Sequence, residues 1–241
     1  MTLTLNRILA TVAAYTERYA LPLVFFYLAS KELKPIQGLW SGQFRVETTL
    51  FIDIAHHLIL LLLGVFTGLM LLLGRRPEVP LQKLQFILIP LATTFYYLLY
   101  YTVKKFPFAW QMNLAPPGWQ KPLMITGLTL VIIGPMVQAW GLLHLGRSFG
   151  IFVVVRKVVL TGPYRWVRHP MYLGGVFLCL GVAIANFSSA YFLLVGIHIS
   201  LMLYRAHLEE TQLAVHSVEY QEHMKRTGFI FPKFRSRSVV Y

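Results

Sequence analysis

The sequence is poor in acidic residues, in cysteine and in charge of any kind. Nine Asp and Glu stand against 22 Lys and Arg, and charged residues make up only 13% of the 241 positions. Soluble domains carry about a quarter charged residues, so this composition argues against a water-soluble domain. The single cysteine, Cys179, has no partner for an intramolecular disulfide and belongs to no metal-binding cluster. The 15% aromatic content excludes an intrinsically disordered chain.

Nucleotide-binding and nucleic-acid-binding signatures are also missing. No G-x-G-x-x-G lies between a predicted strand and a helix, which argues against a Rossmann-type site. The net charge of +13 does not require a nucleic acid, because basic residues crowd the cytoplasmic loops of membrane proteins and contact anionic lipids there. Since no basic helix or known binding module is present, we expect no nucleic-acid partner.

Long apolar runs, in contrast, are abundant, and they predict an all-α, polytopic membrane protein with about five or six transmembrane helices. About 20 apolar residues cross the hydrocarbon layer. Three runs meet this length: Leu50 to Leu73, Leu84 to Val103, and Leu123 to Leu145. The run from Ile8 to Ala29 contains Glu17 and Arg18, which are costly at depth. It is therefore either a span or an interfacial helix.

Two shorter apolar runs near the C-terminus predict a helical hairpin. They are Met171 to Ala185 and Ala190 to Tyr204, separated by Asn186, Phe187, Ser188 and Ser189. Four of the nine acids then lie between Glu209 and Glu222, so we expect a separate polar helix after Tyr204 that ends near Gly228.

Counting basic residues on alternate sides of the spans predicts the orientation. One side holds 15 Lys and Arg, including the 11 from Arg147 onward, and the other holds six. The positive-inside rule makes the richer side cytosolic. The loop from Gly146 to Pro170 and the chain after Tyr204 would then face the cytosol together. We expect a multi-pass integral membrane protein, in the cytoplasmic membrane if the source is a bacterium.

The predicted cytosolic loop is dense in groups that bind polar ligands. Four arginines can pair with carboxylates or phosphates, three aromatic rings offer π faces, and His169 can donate or accept a proton. The arginines are Arg147, Arg156, Arg165 and Arg168, and the rings are those of Tyr164, Trp166 and Tyr172. The hairpin would return Glu209 and Glu210 to the same surface. A lipid-headgroup anchor next to a solvated helix start is the alternative interpretation.

An ordered set of motifs carries a family resemblance. G-P-Y-R-W-V-R-H-P-M-Y-L-G is followed by E-E, by E-Y-Q-E-H and by F-P, between about Ala139 and Phe234. This set resembles the signature of isoprenylcysteine carboxyl methyltransferases and the related phospholipid methyltransferases. The resemblance implies a methyltransferase core over residues 123–241, with a cytosolic C-terminal helix. Residues 1–122 would supply transmembrane helices that select the substrate.

The resemblance implies S-adenosylmethionine as the cofactor and assigns residues to its pocket. The residues matching the family motifs are Arg168, His169, Pro170, Tyr172, Glu209 and Glu210. We add Gly162, which with Pro163 shapes the backbone near these side chains, and Tyr164. The ring of Tyr164 or Tyr172 would stack on adenine or face the sulfonium through cation–π attraction. No metal is implied.

The acceptor determines which residues would act in transfer. A carboxylate acceptor needs only a cation to orient it, and Arg147 and Arg205 are the candidates. An amine or thiol needs a base, and Glu209 is the candidate because Arg205 at i−4 would keep it ionised. An ordinary helix ion pair is the alternative for these two residues.

The expected partners are a lipophilic substrate that enters from the bilayer and the membrane lipids themselves, with no obligate protein partner. A prenylated cysteine, a phospholipid amine, an isoprenoid and a small thiol all remain open as acceptors. Two other functions compete. The first is a sterol-reductase-like enzyme using NADPH, a family whose pattern lacks the His169-Pro170 pair. The second is a non-catalytic membrane scaffold.

Three further features complete the expectations. Relatives often have a glycine before the E-Y pair where this chain has Ser217-Val218, which predicts that the helix bearing Tyr220 continues without a break. Gly64 and Gly68 form a G-x-x-x-G that indicates close helix packing. Asp53, His56 and His57 share one helix face, but we assign no metal to them because polar residues are common at the end of a span.

Overall fold

A computed structural model describes residues 11–12, 15–40, 50–74, 114–150 and 158–233. In these ranges the chain is helical, apart from turns and an isolated parallel β-bridge between Val167 and Gly228. A π-helical turn, Thr16–Ala20, precedes the first α-helix, and 3₁₀ turns cover Gly146–Ser148 and Gly162–Arg165. The α-helices are α1 (Leu21–Lys31), α2 (Leu33–Trp40), α3 (Leu50–Leu73), α4 (Gln120–Leu145), α5 (Pro170–Asn186), α6 (Ser189–His216) and α7 (Val218–Arg226).

The apolar runs predicted most of these helices closely. Helix α3 has the predicted bounds, and α4 begins three residues before the predicted Leu123. The run from Ile8 to Ala29 corresponds, in its described part, to the π-helical turn followed by α1. Whether it crosses the membrane stays a prediction. The predicted span from Leu84 to Val103 lies outside the described residues.

Among the residues that the structure describes, two helical segments are long and apolar enough to cross a membrane. They are Gln120–Ser148 and Ser189–His216, and only 22% of the most apolar stretch of each is buried. Apolar side chains that face outward suit contact with lipid better than the core of a soluble domain. The all-α class is confirmed for the described part of the chain. The number of spans stays a prediction, as does the membrane crossing of the C-terminal helical pair.

Glycines spaced seven residues apart hold α4 and α5 close together. Gly127, Gly134 and Gly141 follow one another along α4, and Gly174 and Gly181 lie on the facing side of α5. A Cβ built on Gly134 would come within 2.6 Å of the backbone of α5. Residues near the start of α4 contact the end of α5, so the helices run antiparallel. This spacing of glycines is visible in the sequence itself.

The G-x-x-x-G in α3 also marks a helix contact, which confirms the interpretation of that motif. An added Cβ on Gly64 would lie 3.0 Å from the Cβ of Ala29, and one on Gly68 would overlap the ring of Phe26. Both contacts are with α1. Small residues at these positions let the two helices approach closely.

Helices α5 and α6 pack on each other across the short turn formed by Phe187 and Ser188. Cys179 and Ala183 of α5 and Val195 of α6 form a buried cluster between them. The hydroxyl oxygen of Ser188 accepts from the backbone N–H of Tyr191 and caps the start of α6.

The expectation of a separate polar helix after Tyr204 is wrong. Helix α6 continues without interruption from Ser189 to His216. Its 28 residues rise about 42 Å at 1.5 Å per residue, which is longer than the roughly 30 Å thickness of the hydrocarbon layer. The change in composition after Tyr204 therefore lies within one continuous helix.

The expectation that the helix bearing Tyr220 continues without a break is also wrong. Ser217 adopts an extended conformation with φ −143° and ψ 111°, and it separates α6 from α7. Its hydroxyl oxygen accepts from the backbone N–H of Tyr220 at 3.1 Å. Serine is a favoured N-cap residue, so Ser217 ends one helix and begins the next without a glycine.

Candidate active site

The site lies where the start of α5 meets the last turns of α6. Pro170 occupies the first position of α5, where its missing N–H costs no hydrogen bond. Because α6 returns alongside α5, the hydroxyl of Tyr172 donates to Oε1 of Glu209 at 2.6 Å. Residues 37 positions apart in sequence thus share one contact, as the predicted hairpin requires.

Glu209 contacts one cation and one aromatic residue. The Nε–H of Arg205, one helical turn earlier, donates to Oε1 of Glu209 at 3.2 Å. The guanidinium carbon of Arg205 also lies 5.7 Å from the centre of the Tyr172 ring. Glu209 keeps 23% of its side chain exposed, so it stays open to a ligand.

Glu210 faces the neighbouring residues of the R-H-P motif instead. Its Oε1 accepts from the Nε–H of Arg168. Nε2 of His169 lies 3.3 Å from the same oxygen, a close polar contact without the alignment of a hydrogen bond. Glu210 and Arg168 expose only 9% and 10% of their side chains, so this ion pair is buried.

Arg168 also connects the motif to the end of the described chain. Its NH1 group donates to the carbonyl oxygens of Thr227 at 2.5 Å and Met224 at 3.3 Å. The backbone N–H of Arg168 donates to the carbonyl of Gly228 at 2.9 Å, and that of His169 donates to Phe229 at 3.2 Å. The segment after α7 therefore runs beside the R-H-P motif.

The imidazole of His169 is buried between two aromatic rings. The rings of Tyr172 and Phe229 meet it edge to face, with centroids 5.4 and 5.0 Å away. Only 5% of His169 is exposed. This packing fixes the orientation of the imidazole next to Glu210.

Tyr164 lies buried in the 3₁₀ turn Gly162–Arg165, where it senses the charge of Glu209. Burial, and next the negative charge of Glu209, raise the pKa of Tyr164 well above its ordinary range, so its hydroxyl stays protonated. Nε2 of His223 on α7 is hydrogen-bonded to the carbonyl oxygen of Tyr164 at 2.9 Å. Burial lowers the pKa of His223, which favours the neutral imidazole with its proton on Nε2.

Gly162 positions this turn. It has a φ of +61°, a backbone conformation that favours glycine. A Cβ at this position would overlap the ring of His144 at the end of α4. Gly162 is thus a structural residue of the turn that carries Tyr164, and a direct contact with a ligand stays a prediction.

Arg147, a candidate for orienting the acceptor, lies in the 3₁₀ turn that follows α4 and contacts the end of α3. Its Nε–H donates to the carbonyl oxygen of Leu73, the last residue of α3, at 3.0 Å. An arginine at a helix C-terminus satisfies an open carbonyl and stabilises the helix dipole. The structure therefore groups Arg205, and not Arg147, with Glu209, and a role for Arg147 in transfer stays a prediction.

Three residues that contact the R-H-P motif or Tyr164 were not among the predicted site residues. They are Phe229, which covers His169, Thr227, whose carbonyl binds Arg168, and His223, which holds Tyr164. The motif E-Y-Q-E-H contained His223, but its spacing from other histidines suggested nothing. Gly228 marked the end of the predicted polar helix, and the structure places it in the β-bridge with Val167.

The polar residues at the start of α3 do not form a described metal site. Nδ1 of His57 lies 2.6 Å from Oε2 of Glu32, near the end of α1. The side chains of Asp53 and His56 lie outside the described residues. Among the residues that are described, no group of three His, Cys, Asp or Glu is arranged to hold a metal ion.

Comparison with known proteins confirms the resemblance. The family model for phospholipid methyltransferase matches residues 122–216, a region that contains both the R-H-P motif and the paired glutamates. The human protein-S-isoprenylcysteine O-methyltransferase is 27% identical over 124 residues, which cover 46% of this chain and 42% of the human protein. The match thus spans less than half the length of that relative.

A solved structure also aligns with the chain. It is that of the eukaryotic intramembrane Ras methyltransferase ICMT (isoprenylcysteine carboxyl methyltransferase) without a monobody. The sequence identity is 16% and the TM-score is 0.44, over 92% of this chain and 97% of that one.

Proposed function

We propose that this protein is an integral membrane methyltransferase that transfers a methyl group from S-adenosylmethionine to a lipophilic acceptor. The observation that carries the proposal is the junction of two motifs. The family match covers both the R-H-P-x-Y segment and the paired glutamates, and Tyr172 and Glu209 from these two segments are hydrogen-bonded to each other.

The residues at this junction suit the chemistry of the cofactor. S-adenosylmethionine supplies an electrophilic methyl group on a sulfonium, and it also carries an ammonium, a ribose diol and a carboxylate. Glu209, partly exposed, can accept from the ammonium or the diol. The Tyr172 ring already faces the cation of Arg205 at 5.7 Å, and a π face of this kind also attracts a sulfonium.

The acceptor would approach from the bilayer, where α6 exposes the apolar side chains of Phe192, Leu193 and Ile197. A carboxylate acceptor would be oriented by the guanidinium of Arg205, which forms charge-assisted hydrogen bonds with such groups. An amine or thiol acceptor would give its proton to Glu209. Transfer needs the acceptor atom in line with the breaking bond and water kept away, and a site at the membrane boundary favours both.

The proposed site opens to the cytosol. The charge distribution over the whole chain supports this orientation, because the residues that form the site lie in the most basic part of the sequence. A soluble, charged cofactor would then enter from the aqueous side and the acceptor from the lipid side. The division of the chain into a substrate-selecting part, residues 1–122, and a transferase core, residues 123–241, belongs to the same proposal.

Isothermal titration of the purified protein in detergent tests the cofactor. We expect S-adenosylmethionine to bind with a dissociation constant that the method can measure and NADPH not to bind. Binding of NADPH alone would contradict the proposal in favour of a reductase-like enzyme. Binding of neither compound would favour the non-catalytic scaffold.

A further inference from the structure

The two adjacent carboxylates at the end of α6 have different surroundings. Glu209 contacts Tyr172 and Arg205 within the α5–α6 pair and keeps 23% of its side chain exposed. Glu210 exposes only 9% of its side chain and pairs with Arg168. The resemblance treats both glutamates as cofactor ligands, but these contacts separate them.

Two nitrogens of the Arg168 guanidinium donate to groups of the protein. Nε donates to Glu210, and Nη1 donates to the carbonyl oxygens of Met224 and Thr227. The guanidinium carbon also lies 5.9 Å from the centre of the Phe229 ring. Arg168 thus links α6 to the segment Thr227–Ile230, which we call the wall segment.

The wall segment is packed tightly against the R-H-P motif. Thr227 and Ile230 are 3% and 6% exposed, and Gly228 pairs with Val167 in the β-bridge. Phe229 covers one edge of the His169 ring. The position of this segment therefore determines how His169 and the adjacent Tyr172 are presented to a ligand.

We propose that Arg168 and Glu210 are a positioning pair, which fixes the wall segment against His169 without touching the methyl donor. Glu209 is then the carboxylate that meets the ligand. This division of roles rests on the proposed function. It predicts that removing the charge of Glu210 leaves Arg168 as a buried cation without its counter-charge, a strongly unfavourable state. The wall segment would then detach from the motif.

Hydrogen exchange of the full-length protein in lipid nanodiscs, without any ligand, tests the pair directly. In Glu210→Gln we expect the amides of residues 227–230 to exchange at least about tenfold faster than in the wild type, because local opening sets their exchange rate. In Glu209→Gln, the matched control, we expect exchange of these amides within about twofold of the wild type. Equal exchange in Glu210→Gln and the wild type would overturn the proposal.

Steady-state kinetics separates positioning from direct contact. For Glu210→Gln we expect KM for S-adenosylmethionine to rise about tenfold, while kcat at saturation falls less than about threefold, since added cofactor restores the ordered segment by mass action. For Glu209→Gln we expect KM for S-adenosylmethionine to rise and kcat at saturation to fall as well. A Glu210→Gln variant that loses all cofactor binding while its exchange stays at the wild-type rate would show that Glu210 is a ligand.

A second variant changes a residue of the wall segment itself and leaves both carboxylates unaltered. The Cβ introduced by Gly228→Ala would overlap the carbonyl of Phe231, so we expect the same faster exchange and higher KM as in Glu210→Gln. A wild-type KM in a folded Gly228→Ala protein would overturn the link between the segment and the site. If the wild type binds no S-adenosylmethionine, the proposed function fails, while the ligand-free exchange still decides whether Arg168 and Glu210 hold the segment.

Discussion

At the scale of single residues, Glu209 joins the start of α5 to the last turns of α6. Its Oε1 accepts from both Tyr172 and Arg205, and its charge raises the pKa of the buried Tyr164. A carboxylate near the end of α6 thus contacts Tyr172 of α5 and Arg205 of α6.

Replacing Glu209 by Gln keeps the size of the side chain and removes its charge. A hydrogen bond to a charged group contributes roughly 1.5–3 kcal/mol, so we expect S-adenosylmethionine to bind about ten- to a hundredfold more weakly. Titration calorimetry measures this. Glu222→Gln is the matched control, because Glu222 is 51% exposed and pairs only with the surface Lys225 in the contacts described for it. Equal losses in both variants would contradict a specific role for Glu209.

The residue-level roles were only partly predictable. The motif letters selected Arg168, His169, Tyr172 and both glutamates, because their types match the chemistry of a charged ligand. The contact between Arg147 and Leu73 joins residues 74 positions apart, and only the packing of α3 beside α4 produces it. No local pattern in the sequence contains that information.

At the scale of elements, the glycines of the α4–α5 contact determine how near the two helices approach. Gly134→Ala would put a methyl group 2.6 Å from the carbonyl oxygen of Gly174 and the backbone nitrogen of Leu178. Overpacking of this kind costs about 1–3 kcal/mol, so we expect a lower melting temperature in detergent. Gly196→Ala is the control, since an added Cβ there meets no atom within 4 Å among the described residues. An equal melting temperature for both variants would contradict the close-packed contact.

The break between α6 and α7 depends on the cap at Ser217. Ser217→Ala removes the acceptor for the N–H of Tyr220, and losing an N-cap costs about 1 kcal/mol. We expect faster amide exchange across residues 219–222. Ser200→Ala serves as the control, because the Ser200 hydroxyl donates to the carbonyl of Gly196 inside α6 and caps no helix. Unchanged exchange in Ser217→Ala would mean that the helix start does not need this side chain.

Element bounds were predictable where composition changes together with structure. The apolar run from Leu50 to Leu73 has the same bounds as helix α3. The thickness of the hydrocarbon layer and the helix rise per residue together determine how long such a run and such a helix must be. Composition did not predict the structure after Tyr204, since a helix can become polar without ending. It failed again at Ser217, where a single hydroxyl ends one helix and caps the next.

At the scale of the whole molecule, the charge distribution predicts which side of the membrane carries the site. Glu222 lies on the predicted cytosolic side and Lys34 on the opposite side, and both are exposed. Single cysteines at these positions report the topology, since the natural Cys179 is buried. With a membrane-impermeant maleimide, we expect Lys34→Cys to react in intact cells and Glu222→Cys to react only after permeabilisation. The reverse pattern would contradict the cytosolic site.

Methyl transfer itself tests the account most directly. The purified protein would be incubated with S-adenosylmethionine labelled on its methyl group and a membrane lipid extract, and the products would be identified by mass spectrometry. We predict that label moves to a lipophilic acceptor with the wild type and that Glu209→Gln greatly reduces this transfer. Absence of any labelled lipid, or equal labelling by the wild type and Glu209→Gln, would contradict a methyltransferase site built around this carboxylate.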